Sequence, residues 1–187
     1  MRPFSILLVS LFLFVSLFGK LWADLQTIVD YHQGANGRAE TVHAIIRAKD
    51  LGTGEPTSEN REMAAQIRAM GKTGDDCGHI VANSLGGPMR TYNLFPQNAG
   101  KNRGEWWNTV EAHMKLFLEL DKTANLSVDY HAELPYARST DTRPTMIKFN
   151  IRFYNGTKLV PFNRIPVNSF TNHRVPSNPY VGAVLNP

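Results

Sequence analysis

At 187 residues with ordinary apolar and aromatic content, the chain is sized for one domain with a substantial core. Its one cysteine, Cys77, excludes an intramolecular disulfide, so packing and hydrogen bonds have to carry stability. The net charge of +4 hides an uneven distribution: from Leu134 to Pro187 seven Lys/Arg face Asp141 alone, whereas residues 24–133 carry 11 basic and 15 acidic side chains. A basic C-terminal part suits charge contacts to phosphate and a solvated basic face equally; a phosphate-cleaving site elsewhere in the chain would favour a substrate track.

From the N-terminus, Met1-Arg-Pro3 leads into an unbroken run of apolar residues and serines, Phe4 to Phe18, followed by Gly19-Lys-Leu-Trp-Ala23. A charged start, an apolar middle and a small-residue end predict a secretory signal peptide over residues 1–23, cleaved after Ala23. A membrane anchor needs about 20 apolar residues, and Lys20 cuts the run short. The mature protein is therefore expected outside the cell, with no stable membrane association. Residues 24–38 form a polar lead-in with no distinct pattern.

Glu40 to Lys49 (ETVHAIIRAK) alternates like a strand, and Asp50 to Gly54 reads as a turn. Thr57 or Ser58 is expected to cap a helix running through Met70, with Met63, Ile67 and Met70 on one face and Gly71 ending it. After Gly78 and His79, Ile80-Val-Ala82 continue as a short apolar strand to the Gly86-Gly-Pro88 turn. Asn93 to Gln97 reads as a loop because Pro96 lacks a backbone donor, and Asn98, Gly100 and Asn102 keep the chain irregular. From Trp106 on, Val110, Met114, Phe117 and Leu120 recur at helical spacing, so one helix face is buried.

Two more strands are expected at Leu126 to Tyr136 and Thr145 to Tyr154, pairing antiparallel. His43 and His131 fall inside strands and read as structural residues. Beyond Val160, Pro161, Pro166, Pro176, Pro179 and Pro187 argue for an extended tail over 161–187, packed on the surface or partly free.

The densest chemistry lies between Asp75 and Glu111. An imidazole near its ordinary pKa can take a proton from water, and an Asn oxygen is an acceptable ligand for a hard cation that keeps several waters. Asp76-Cys-Gly-His79 resembles the Asp-Arg-Gly-His signature of the DNA/RNA non-specific endonucleases. Asn93-Leu-Phe-Pro-Gln97 and Asn102-Arg-Gly-Glu-Trp106 are similar to the segments that follow it there. Asp75-Asp-Cys-Gly-His-Ile-Val-Ala82 with the later Gly-Gly-Pro is closer still to the EssD-like branch, typified by bacterial secreted toxin nucleases.

The resemblance implies an α+β fold of the ββα-metal (His-Me finger) type over residues 24–160, with a small antiparallel sheet and flanking helices. It implies phosphodiester hydrolysis of DNA, RNA or both with low base specificity. His79 matches the general base and Asn102 the ligand of one divalent cation, Mg²⁺ or Mn²⁺. Lys101 and Arg103, beside Asn102, are the candidate phosphate contacts, and Asp76 matches a supporting acid. Two positions depart from the pattern. The usual Arg before the Gly is Cys77, and the auxiliary Glu, eight residues after the Asn in the family, falls on Val110, with Glu111 one further. At about 100° per residue, nine α-helical residues put Glu111 opposite Asn102. Either the helix begins after Asn102, or it contains a bulge, or Glu105 takes the role.

Other chemistries are weaker. Cys77 and His79 share a strand face, but nothing supplies the oxyanion hole a thiolate hydrolase needs. Asp75 and Asp76, adjacent on a strand, face opposite ways and can hardly share an ion. The rival from another class is a catalytically inactive module that binds nucleic acid or a partner. A toxin acting on another cell would share the chemistry and differ only in target. No residue identifies an inhibitor protein.

Overall fold

Backbone pairing in the structure, a computed structural model describing residues 27–160 and 178–187, sorts the strands into a six-stranded antiparallel sheet and a separate hairpin. The expected signal peptide and residues 161–177 of the expected tail lie outside the described residues. In chain order the elements are β1 (Ile28–Gln33), β2 (Ala39–Arg47), α1 (Arg61–Ala69), β3 (Asp75–His79), β4 (Leu94–Asn98), a π-helical segment (Lys101–Glu111), α2 (Ala112–Glu119), β5 (Leu126–Glu133), β6 (Met146–Asn155), β7 (Lys158–Leu159) and β8 (Tyr180–Leu185). The large sheet runs β1-β2-β5-β6-β7 with β8 also beside β6, and β3 pairs with β4.

The alternation read over Thr145–Tyr154 becomes β6. Ile147, Phe149, Ile151 and Phe153 are buried on one face, while Lys148 and Arg152 stand on the other. β5 pairs antiparallel with β6 as expected, with Val128 opposite Phe153 and Tyr130 opposite Ile151. Against this face lie Trp106, Val110, Met114, Phe117 and Leu118 from the long helix, so one core joins helix to sheet. The rings of Trp106 and Phe149 meet edge to face at 6.3 Å, and those of Phe117 and Phe153 at 4.9 Å. Leu120, the last member of the expected apolar row, is 54% exposed because the helix ends there.

A smaller core of Ala64, Ile67, Cys77, Met89 and Leu94 packs α1 against the hairpin, with Met63 and Met70 at its border. The cap of α1 is Asn60, whose side chain accepts from Met63 N at 3.0 Å, rather than Thr57 or Ser58.

Several local readings change. The polar lead-in contains β1, an edge strand on which only Ile28 is buried, so it carries no alternation to detect. The Asn93–Gln97 loop is largely strand β4, with Pro96 directly opposite Cys77. Proline fits there because both strands of a two-stranded sheet are edges. β3 stops at His79, and Ile80-Val81-Ala82 are buried in irregular backbone.

The end of the chain is not a loose tail. β8 adds Tyr180–Leu185 to β6 from Ile151 to Met146. Asn186 then ties the hairpin to the sheet: its Nδ2 donates to Pro96 O and Pro144 O, and its Oδ1 accepts from Asn98 N at 2.8 Å. Prolines bracket this strand without interrupting it, which is why their density misled.

Candidate active site

His79 ends β3 with its Nε2 3.1 Å from the carbonyl oxygen of Glu55. A carbonyl only accepts, so Nε2 carries the proton and Nδ1 keeps a lone pair with no hydrogen-bond partner among the described residues. Burial lowers the ring's pKa below the ordinary 6.5 in spite of Glu55, so the imidazole is neutral at pH 7.

The backbone beyond His79 is clamped. Asn93 Oδ1 accepts from Val81 N at 2.8 Å, and its Nδ2 donates to Val81 O and Pro88 O, both at 3.0 Å. The Tyr130 hydroxyl donates to Ile80 O at 3.2 Å. Glu55 is held in turn, its Oε2 accepting from Met89 N and from Arg90. Gly78 is required beside His79: a Cβ there would sit 2.2 Å from Oε1 of Gln97, whose side chain crosses over it.

Asp76, three residues earlier on β3, joins the strand to the long helix. Its Oδ2 accepts from Asn102 Nδ2 at 3.1 Å and Arg103 Nε at 2.9 Å, and its Oδ1 accepts from Arg103 Nη2 at 2.7 Å. Burial would raise the carboxyl's pKa, but the hydrogen bonds from Arg103 and Asn102 outweigh it and hold the group below the usual range. An ionised carboxylate must face the amide nitrogen, which fixes the orientation of Asn102 and leaves its Oδ1 with no partner among the described residues. Three residue steps along β3, about 10 Å of backbone, lead from Asp76 to His79, and no hydrogen bond joins the ring to Asp76 or Asn102 among the described residues.

The helix resolves the spacing of Asn102 and Glu111. Residues Lys101–Glu111 are π-helical, and the N–H of Ala112 still bonds back to Trp107 O, five residues earlier. With i→i+5 bonding, each turn takes between four and five residues, so nine residues cover about two turns. Glu111 therefore returns to the face of Asn102, as the bulge alternative expected. Burial pushes its carboxyl up to about 7, offset in small part by the Trp106 indole. That indole N–H is buried without a well-formed hydrogen bond. Glu111 also adds to the elevation that burial imposes on the Tyr130 hydroxyl, the group that holds Ile80 next to His79.

The flanking cations point elsewhere than a bare phosphate site. Lys101 pairs with Glu105, and Arg103 with Asp76, although the Arg103 side chain is largely exposed. Cys77 is buried in the smaller core and its thiol is pushed up to about 11, so it is no nucleophile at neutral pH. Asp75 faces away from Asp76 and makes a buried pair with Arg143, Nε to Oδ2 at 2.6 Å and Nη2 to Oδ1 at 3.0 Å. Arg138, Lys148 and Arg152 are likewise paired with Asp141, Glu133 and Asp129. The basic part, expected to line a substrate track, is in its described residues mostly engaged with acids.

Three residues escaped the sequence reading of the site. Glu55 acts through its backbone, which no side-chain pattern reveals. Asn93 lay in view within the Asn-Leu-Phe-Pro-Gln run, and Gln97, also in that run, is buried with both amide atoms unpaired.

Comparison with known proteins bears on the family and the fold. Residues 22–155 match the family model described as DNA/RNA non-specific endonuclease. Over 132 residues, 71% of this chain, the sequence is 34% identical to the probable deoxyribonuclease RhsA of Dickeya dadantii (strain 3937), a match that spans 8% of that protein's length. NucA from Streptococcus agalactiae, in a structure with magnesium ion bound, shares the fold with a TM-score of 0.54 at 14% identity, over 84% of this chain and 71% of that one. An extracellular endonuclease does so with a TM-score of 0.57 at 16% identity, over 84% and 77%. The family match covers the hairpin, the π-helical segment and β5 and β6 together, and the chain belongs to the DNA/RNA non-specific endonuclease family.

Proposed function

We propose that this chain is a metal-dependent endonuclease domain that hydrolyses phosphodiester bonds of DNA, RNA or both, with His79 as general base. The observation that carries the reading is the tautomer of His79: the Glu55 carbonyl holds the Nε2 proton and leaves Nδ1 able to accept one from water. The donor set fits a hard divalent cation, because Asp76 holds the Asn102 amide through its Nδ2 and leaves Oδ1 with no hydrogen bond among the described residues. Asn102 would hold Mg²⁺ or Mn²⁺, with Glu111 on the same helix face supporting it. Such an ion, when bound, stabilises charge on the phosphate and on the departing oxygen. Asp76 fixes the amide, and Arg103 and Lys101, already paired with Asp76 and Glu105, would reach a substrate backbone only by sharing or giving up those partners. Contacts to phosphate alone carry no sequence information, which accounts for low base specificity.

The domain is read as secreted, with residues 1–23 as signal peptide; the apolar run to Phe18 supports this, and so does the fold shared with an extracellular endonuclease. N-terminal sequencing of exported protein should begin at Asp24. Within the family, the Asp75–Ala82 run with Gly86-Gly-Pro88 favours the EssD-like branch.

Digestion of plasmid DNA and of RNA in Mg²⁺, in EDTA, and with His79→Ala and Asn102→Ala tests the reading. Wild type should cut, and each perturbation should lower the rate by about 100-fold or more. Binding without cleavage in every divalent cation tried would favour the inactive module instead.

A further inference from the structure

The open face of the large sheet carries a cluster that the hairpin does not use. His43 of β2 lies directly opposite His131 of β5, and Asp129 is two residues before His131 on the same strand face. The imidazoles stack with centroids 3.8 Å apart and planes 14° from parallel. Both Nε2 atoms converge on Asp129 Oδ1, at 2.8 Å from His43 and 3.1 Å from His131. The three ligand atoms all lie within 4.8 Å of one another. His43 and His131 line a groove of about 630 Å³, and their side chains remain 32% and 45% exposed. Asn150, opposite His131 on β6 and lining the same groove, has a buried amide oxygen without a hydrogen-bond partner.

We propose that His43, His131 and Asp129 bind a zinc-class divalent cation on the open sheet face, separate from the hairpin site, with water completing the coordination. Tetrahedral zinc with bonds of about 2.1 Å spaces its ligand atoms by about 3.4 Å. The observed separations of 2.8 and 3.1 Å have to open by only a few tenths of an ångström. Without an ion, each ring donates its Nε2 proton to the shared carboxylate oxygen. On binding, each ring carries its proton on Nδ1 and offers the Nε2 lone pair to the ion. Arg152 lies 3.5 Å from Asp129 Oδ2 and orients the carboxylate while leaving Oδ1 to the cluster.

Two imidazole nitrogens and one carboxylate favour zinc or nickel over magnesium, whereas an amide oxygen favours magnesium. The chain would sort two classes of cation between two places. Because the ligands come from β2 and β5, an ion here would staple the middle of the sheet.

Calorimetric titration of the metal-stripped full chain with Zn²⁺ and with Mg²⁺, joined to thermal unfolding in each ion, tests this directly. The expected result is one Zn²⁺ bound at this face with a raised unfolding midpoint, and an affinity weakened more than about tenfold in His131→Asn and in His43→Gln. His79→Ala should retain that binding, and Mg²⁺ should not displace the zinc. The metal-free midpoints of the two sheet variants report whether each still folds. Absence of Zn²⁺ binding, or an affinity equal in wild type and both folded variants, overturns the proposal. Neither outcome depends on cleavage, so failure of the nuclease reading would leave this one standing, and the reverse.

Discussion

Glu111→Gln isolates the electrostatic cost of placing a carboxyl inside this site. Burial moves the group from an ordinary 4.5 up to about 7. In the unfolded chain it ionises near 4.5, so between pH 4.5 and 7 the unfolded state releases a proton that the folded state keeps. Folding is therefore favoured below 4.5 and loses that contribution as pH rises to about 7, after which the loss is constant. At 1.36 kcal/mol per pH unit, the gap is worth about 3 kcal/mol. The glutamine cannot ionise and escapes this loss. Urea unfolding in EDTA should show the variant and wild type differing little at pH 4.5, with the variant about 3 kcal/mol more stable by pH 8. Cleavage by the variant should nevertheless fall, since a site that needs a carboxylate sacrifices stability for function. A stability difference that stays flat from pH 4.5 to 8 would refute the claim that this carboxyl is desolvated.

The other expectations follow from single contacts. Because burial lowers the His79 pKa, the acidic limb of the pH profile of kcat/KM should fall below pH 6.5, with activity lost as the ring is protonated; a limb above 6.5 contradicts the assignment. Asn93→Ala leaves Val81 N–H and C=O unpaired in a buried backbone and should cost about 2–4 kcal/mol by denaturant unfolding, with loss of cleavage as His79 is released. Arg143→Ala strands the buried Asp75 carboxylate and frees the Asn186 end, so it should cost about 3–5 kcal/mol. A drop in unfolding midpoint similar to that of an exposed Arg138→Ala control would sink that estimate.

What could be read from the residues alone was local and repetitive. β6 announces itself because one face is buried along its whole length, so the period of two is written into Ile147, Phe149, Ile151 and Phe153. The helix face of Trp106, Val110, Met114 and Phe117 is legible for the same reason. His79 and Asn102 were singled out because motif residues stand in a fixed order near one another. Edge strands β1 and β8 were not legible, since pairing through the backbone leaves little side-chain trace and prolines beside β8 pointed the other way.

Tertiary structure decided the rest. The π-helical turns between Lys101 and Glu111 restore Glu111 to the face of Asn102, an outcome that counting at α-helical pitch had ruled against. The tautomer of His79 depends on a backbone carbonyl 24 residues away, and the convergence of His43 and His131 on Asp129 depends on strand register. Composition and periodicity report what a residue does to its own segment. Which groups from distant segments meet is set by packing and pairing across the chain, and both candidate sites here are made of such meetings.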